Sequence, residues 1–332
     1  MNFFQKSIIF GLSILFSSFS AHADVSTDIK VVTTIKPLHS LISRIMETRG
    51  EPQLIIEGTN NPHTFVFKPS HAKMIEEADI VFWIGEDLEA FMEKPLNSLA
   101  KDTKKIAFID SESIEKLKFR EENIFDDHDD HDDHDDHDDH DDHDDHDDHE
   151  GHDHGGIDPH FFTDPGRMAT VVEELNEFLV ANFPNADQGF VSTANSYAQD
   201  LMDLDAEVEE ILSGIPASSR LLVTNHAVFG YFADSYSFEI LGEIIPSSST
   251  LASASAQQLS NLAEELRSNN VTAIFADASA SDALAQTLAA EVGGIEVITL
   301  YTESLGDPGS SGESYIDMVR FNAEAIASGL LQ

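Results

Sequence analysis

"ADQGFVSTANSYAQDLMDLDAEVEEILSGI", residues 186–215, places apolar side chains at Phe190, Ala194, Tyr197, Leu201, Leu204, Val208 and Ile211. This 3–4 spacing, kept for about six turns, predicts one long amphipathic helix. Gly214 and Pro216 then stop it. At ~1.5 Å per residue such a helix would be ~40 Å long, roughly the distance between two domains. It predicts a rigid linker over residues 185–213 with half of the chain on either side.

Outward from the linker, both halves repeat one pattern. In the first, "IKVVTTI" (29–35), "QLIIEG" (53–58), "DIVFWIG" (79–85) and "KKIAFID" (104–110) are short apolar runs. "LHSLISRIME" and "PSHAKMIEEA", with helical spacing, lie between them. The second half offers "RLLVTN" (220–225), "FEILGE" (238–243), "VTAIFAD" (271–277) and "IEVITL" (295–300), with "AQQLSNLAEELRSN" interposed. Continuously apolar strands alternating with helices indicate parallel sheets buried on both faces. The expected class is α/β: two lobes, residues 24–184 and 214–332, each a mainly parallel sheet flanked by helices, joined by one long rigid helix.

The N-terminus points to export. "MNFFQKSIIFGLSILFSSFSAHA" (1–23) has a lone Lys6, an apolar run from 8 to 19 and an Ala21-His22-Ala23 ending, the form of a cleaved signal peptide. The run is too short for a permanent membrane span. The chain has no cysteine, so it has neither disulfides nor a thiol to carry a lipid anchor. A freely soluble periplasmic protein is expected, and any metal site must be built from nitrogen and oxygen.

Charge narrows the partners. The formal net charge is -44, which repels nucleic acid and attracts cations. Much of it comes from residues 126–154, where "DDH" is written eight times; that segment holds seventeen Asp, one Glu and no Lys or Arg. With nothing apolar to bury, it is expected to be a disordered surface loop. Its imidazoles and carboxylates can hold several cations weakly, an accessory for capture or sensing. A merely solubilising repeat is the alternative.

Ten of the sixteen histidines lie in that segment and His22 falls in the signal peptide, leaving His39, His63, His71, His160 and His226. His63 follows the "QLIIEG" strand in a polar turn, His160 sits in the turn "GIDPHFFTDP", and His226 directly follows "RLLVTN". Open α/β sheets bind ligands at the carboxyl ends of their strands, so these three are the candidate ligands, converging on a cleft between the lobes. His39, on the apolar side of the first helix, and His71, at a helix start, are expected to pack or cap.

"NPHTFVFKPSHAKMIEEADIVFWIGEDLEAFM", "DPHFFTDP", "NHAVFGYFADSYSF" and "YTESLGDPGSSGESYIDMVRFN" closely resemble the zinc/manganese-type (cluster A-I) solute-binding proteins of ABC importers, the zinc-uptake branch above all. The resemblance runs in order over nearly the whole chain after the signal peptide. It implies that His63, His160 and His226 bind metal, and that the acidic, His-rich loop before "DPH" is a feature of the zinc branch. It also implies a fourth, carboxylate ligand after the last strand: Glu303, with Asp307 or water as substitutes. Three neutral imidazoles and one oxygen suit tetrahedral Zn2+, whereas manganese prefers more oxygen. The implied function is a high-affinity Zn2+ carrier delivering its transported ligand to an inner-membrane ABC permease, as a monomer. Manganese or iron carriage on the same fold, and an exported zinc buffer working through the loop, are the alternatives. A hydrolase is disfavoured, since there is no H-E-x-x-H and no marked general base.

Overall fold

The computed structural model describes residues 29–47, 50–99, 103–119, 156–182, 188–245 and 254–331. The signal-peptide reading (1–23) and the His/Asp segment (126–154) lie outside the described residues.

All eight apolar runs are strands, in two sheets of four. The first contains β1 (Val31–Thr33), β2 (Gln53–Leu54), β3 (Ile80–Trp83) and β4 (Lys104–Ala107), in the order β2-β1-β3-β4. The second contains β5 (Leu221–Thr224), β6 (Glu239–Glu243), β7 (Ala273–Asp277) and β8 (Glu296–Leu300), in the order β6-β5-β7-β8. Every pairing is parallel. In both sheets the first strand sits between the second and third, so the chain reverses its course across the sheet beside it. Such switch points open a crevice at the carboxyl ends of the strands.

Helices α1 (Lys36–Met46), α2 (Pro69–Glu77), α3 (Glu93–Ser98), α4 (Pro165–Asn182) and α5 (Gln188–Ser213) precede the second sheet. Helices α6 (Gly230–Tyr236), α7 (Ala256–Ser268), α8 (Ala283–Val292) and α9 (Tyr315–Leu330) belong to it. In α1, proline in the first turn leaves no helical donor wasted, and Leu38, Leu41, Ile42 and Ile45 form the buried stripe.

The long helix α5 is not a free-standing strut. It packs most extensively against α4, and also against α9 and α1, so it touches helices from both halves. Leu201 and Val208 on its inner face are fully buried. The largest core is shared between the halves, running from Val32 and Phe82 through Tyr197 to Phe232, Phe275 and Tyr315. A smaller core of Leu262, Leu266, Ile274 and Leu288 lies under α7 and α8.

Candidate metal centre

Three of the four expected residues follow a strand end. His63 lies in the short 3-10 turn Pro62–Thr64 beyond β2, His226 is two residues past β5, and Glu303 is three past β8. His160 opens a second 3-10 turn, His160–Thr163, after the bridge that pairs Lys118 with Ile157.

His63 and His160 share a local device. In Asn61-Pro62-His63 the Asn61 Oδ1 accepts the His63 backbone N–H at 2.9 Å, and in Asp158-Pro159-His160 the Asp158 Oδ1 accepts the His160 N–H at 2.9 Å. Both are Asx-type turns, with the intervening proline limiting the backbone. Each sets the direction in which its imidazole leaves the chain.

The structure brings all four side chains together. Nε2 of His63, His160 and His226 stand 2.8, 3.5 and 3.5 Å from Glu303 Oε1. One donor atom from each of the four lies within 4.8 Å of all the others. The imidazole centroids form a nearly equilateral triangle with sides of 5.8, 5.9 and 6.1 Å. Two ligand atoms each ~2.0–2.1 Å from a tetrahedral ion lie ~3.3 Å apart, a separation that the observed distances bracket.

These atoms are buried, and among the described residues they make no hydrogen bond of normal geometry. Nε2 of all three histidines and Oε1 of Glu303 are so placed. Unpaired buried polar atoms cost free energy unless something binds them. A set of lone-pair donors pointed at one another is what a cation site requires.

The surroundings concentrate negative charge on Glu303. Burial alone would push its carboxyl up, but the facing imidazoles of His160, His226 and His63 hold it well below the usual range. Two other buried carboxyls move the opposite way. Asp277 rises to about 6 through burial and then the charge of Glu303, while accepting from Thr302 and Ser279. Glu89 rises to about 7, chiefly through burial, and accepts from the Ile84 and Gly85 N–H groups. His160 is raised to about 9: burial lowers it, but Asp158, 2.7 Å from its Nδ1, and Glu303 outweigh that. Gly230 leaves the room Asp158 needs, since a Cβ there would lie 2.5 Å from its Oδ2.

The remaining candidates lie elsewhere. His39 Nε2 meets the Pro52 carbonyl at 2.9 Å, and His71 Nδ1 accepts from the Lys68 N–H at 3.1 Å, capping α2. Both pack or cap as expected. Asp307 is exposed and outside the cluster, leaving Glu303 as the carboxylate present. Asp158, Asn61, Asp277 and Glu89 were not singled out from sequence. The repeated Asx-Pro-His pattern carried a signal for the first two; the last two carried none.

Comparison with known proteins places this arrangement. The profile described as "Zinc-uptake complex component A periplasmic" matches residues 31–329. The high-affinity zinc uptake system protein ZnuA of Brucella abortus is 32% identical over 307 residues, covering 89% of this chain and 90% of that protein. The manganese-binding lipoprotein MntA of Halalkalibacterium halodurans is 23% identical, covering 92% and 89%. The solved structure of the periplasmic zinc binding protein TroA from Treponema pallidum superposes with a TM-score of 0.74 at 25% identity, covering 91% of this chain and 99% of that one.

Proposed function

Because the chain belongs to the family of periplasmic zinc-uptake components, the solute-binding proteins of zinc/manganese ABC transporters, we propose that it captures Zn2+ between its two sheets and delivers it to a membrane permease. Zn2+ is the transported ligand, and the protein is a carrier rather than an enzyme. The observation that carries the choice of metal is the donor set: three buried imidazole nitrogens without a hydrogen bond of normal geometry and one carboxylate oxygen facing a common point. Three nitrogens and one oxygen suit four-coordinate zinc, while manganese favours a larger, oxygen-rich shell.

His63, His160, His226 and Glu303 are the ligands in this reading. Their burial excludes competing water, and Glu303 supplies the charge that partly neutralises the ion. The chain divides into lobes 24–184 and 214–332 joined through 185–213, and it works as a monomer exported through a cleaved signal peptide. Among the described residues no helix is long and apolar enough to cross a membrane. The segment 126–154 is an accessory that gathers cations by number and charge.

Manganese is the second reading, supported by the carboxylate donor and by the similarity to a manganese-binding lipoprotein. Native mass spectrometry of the mature chain, with and without residues 126–154, offered equimolar Zn2+ and Mn2+, separates the two. One tightly held zinc in both chains, lost in His226→Ala, is the expected result. One manganese would change the cargo, and no tight metal in the shortened chain would make the protein a buffer.

A further inference from the structure

The sequence assigns His160 to the first half of the chain, where Asp158 bonds it and the Asp158 N–H donates to the Leu117 carbonyl at 2.9 Å. Yet two further bonds that hold its turn come from the second half. Asp158 and Phe162 flank His160 by two residues on either side. The Tyr231 hydroxyl donates to the Asp158 carbonyl at 2.9 Å and accepts from the Leu117 N–H at 3.0 Å. The Tyr315 hydroxyl donates to the Phe162 carbonyl at 2.8 Å. Both tyrosines are 0% exposed. Tyr231 lies on α6, five residues after His226, and Tyr315 begins α9, twelve residues after Glu303. Each therefore suspends the His160 turn from an element that directly follows another member of the metal centre.

We propose that Tyr231 and Tyr315 are positioning residues that fix His160 against His226 and Glu303, making these three one rigid unit to which the first sheet adds only His63. The inference rests on the reading of the centre as a zinc site. Further contacts act in the same direction. Arg167, three residues beyond Asp164, covers the Tyr231 ring at 5.0 Å and reaches Asp234 at 2.6 Å and Ser235 at 2.7 Å on α6. Ser235 Oγ also meets Asp164 at 2.5 Å. Every residue from His160 to Thr163 is buried.

The His63 loop is held differently. Asn61 Nδ2 reaches Glu303 Oε2 at 3.3 Å, but residues 57–60 are exposed, as are Thr64, Val66 and Lys68, and the aromatic contacts of Phe65 and Phe67 with His71 and Phe91 lie within the first half. Segments with exposed backbone and few buried contacts open at the lowest free-energy cost. A three-residue unit completed by one looser ligand follows from that contrast.

Removing either hydroxyl leaves a buried carbonyl unpaired while keeping the ring packed. Ligand constellations lose affinity when displaced by more than ~0.5 Å, so small relaxations of the turn register at the metal. The test uses the full mature chain with one equivalent of Co2+, so that the tightest site fills first. Visible spectra are read as differences against His226→Ala, which removes whatever residues 126–154 hold. Zinc affinity is measured by chelator competition.

Tyr231→Phe and Tyr315→Phe should each change the intensity or position of the tetrahedral cobalt bands and weaken zinc binding about tenfold. Tyr236→Phe is the control: this tyrosine, also buried at 6% exposed, donates its hydroxyl to Asp205 on α5 at 2.6 Å rather than to a carbonyl of the His160 turn. It should lose some thermal stability and keep the wild-type spectrum. Wild-type spectra and affinity in both Tyr231→Phe and Tyr315→Phe, beside a spectroscopically silent His226→Ala, would overturn this inference alone. Equal cobalt spectra in wild type and His226→Ala would overturn the zinc-site reading and this inference with it. The two variants are independent, so either one that folds carries the test.

Discussion

Asn61 and Glu303, at opposite ends of the chain, are hydrogen bonded: Asn61 Nδ2 donates to Glu303 Oε2 at 3.3 Å. The Asn61 Oδ1 meanwhile caps the His63 turn. One amide therefore couples the donor from the first sheet to the carboxylate beyond the last strand. Hydrogen bonds to charged groups contribute about 1.5–3 kcal/mol. Asn61→Ala should therefore release zinc about tenfold faster or more, read as the rate of zinc transfer to excess chelator. Asn61→Asp keeps the cap but opposes a carboxylate to Glu303, and should release faster than Asn61→Ala at neutral pH. An unchanged rate in both variants would remove Asn61 from the site.

Acid should weaken binding through His160. In the metal-free protein this imidazole is raised to about 9 by Asp158 and Glu303 against the effect of burial, so zinc must displace its proton at neutral pH. Affinity is expected to rise about tenfold per pH unit from 7 toward 9 and then flatten. Metal-free stability has the opposite sign. A His with a raised pKa stabilises the fold fully below its unfolded value of 6.5, and that contribution is lost as pH rises through about 9. Thermal melts across this range should fall without zinc, and a metal-free melt that rises would contradict the assignment.

Asp158→Asn addresses the same imidazole from behind. The carboxylate orients the ring and raises its basicity, and losing such a partner typically costs 10–100-fold, roughly, in metal affinity. The variant should bind zinc more weakly and also shift the pH dependence to lower pH. A weakened affinity with an unmoved pH profile would show that Asp158 only shapes the turn.

His226 illustrates a conflict between stability and binding. Both of its ring nitrogens are buried without a hydrogen bond, a cost of order 1–3 kcal/mol per polar group that the metal-free fold must carry. His226→Leu should abolish tight zinc binding while leaving the metal-free melting temperature equal or higher. Calorimetry on the two metal-free proteins decides it: a large drop in the variant would mean the imidazole is a packing element first.

The eight strands were legible because strands of parallel sheets buried on both faces read as unbroken apolar runs, and each run yielded a strand. β2 is shorter than its run: after Leu54 the N–H groups of Ile55 and Ile56 still reach the Thr33 and Thr34 carbonyls, but the chain is already leaving the sheet for the His63 turn. Helix α4 was not singled out, although Pro165 opens it and Met168, Val171, Val172 and Leu175 give it a buried stripe. Without it α5 looked like an isolated rod; with it the pair forms a packed helical layer. His63, His160, His226 and Glu303 were reachable from strand ends and from family likeness. The Tyr231, Tyr315 and Asn61–Glu303 bonds were not, because each spans from 73 to 242 residues, and no local periodicity records such a contact.

The donor set has one more consequence, for oxidative stress. Thiolate metal sites can be discharged by peroxide or disulfide exchange, because the sulfur that holds the ion is the atom that oxidants attack. Here the candidate donors are imidazole nitrogens and a carboxylate oxygen, in a chain without a single cysteine. Oxidants that empty thiolate sites find no sulfur donor to attack among these four residues.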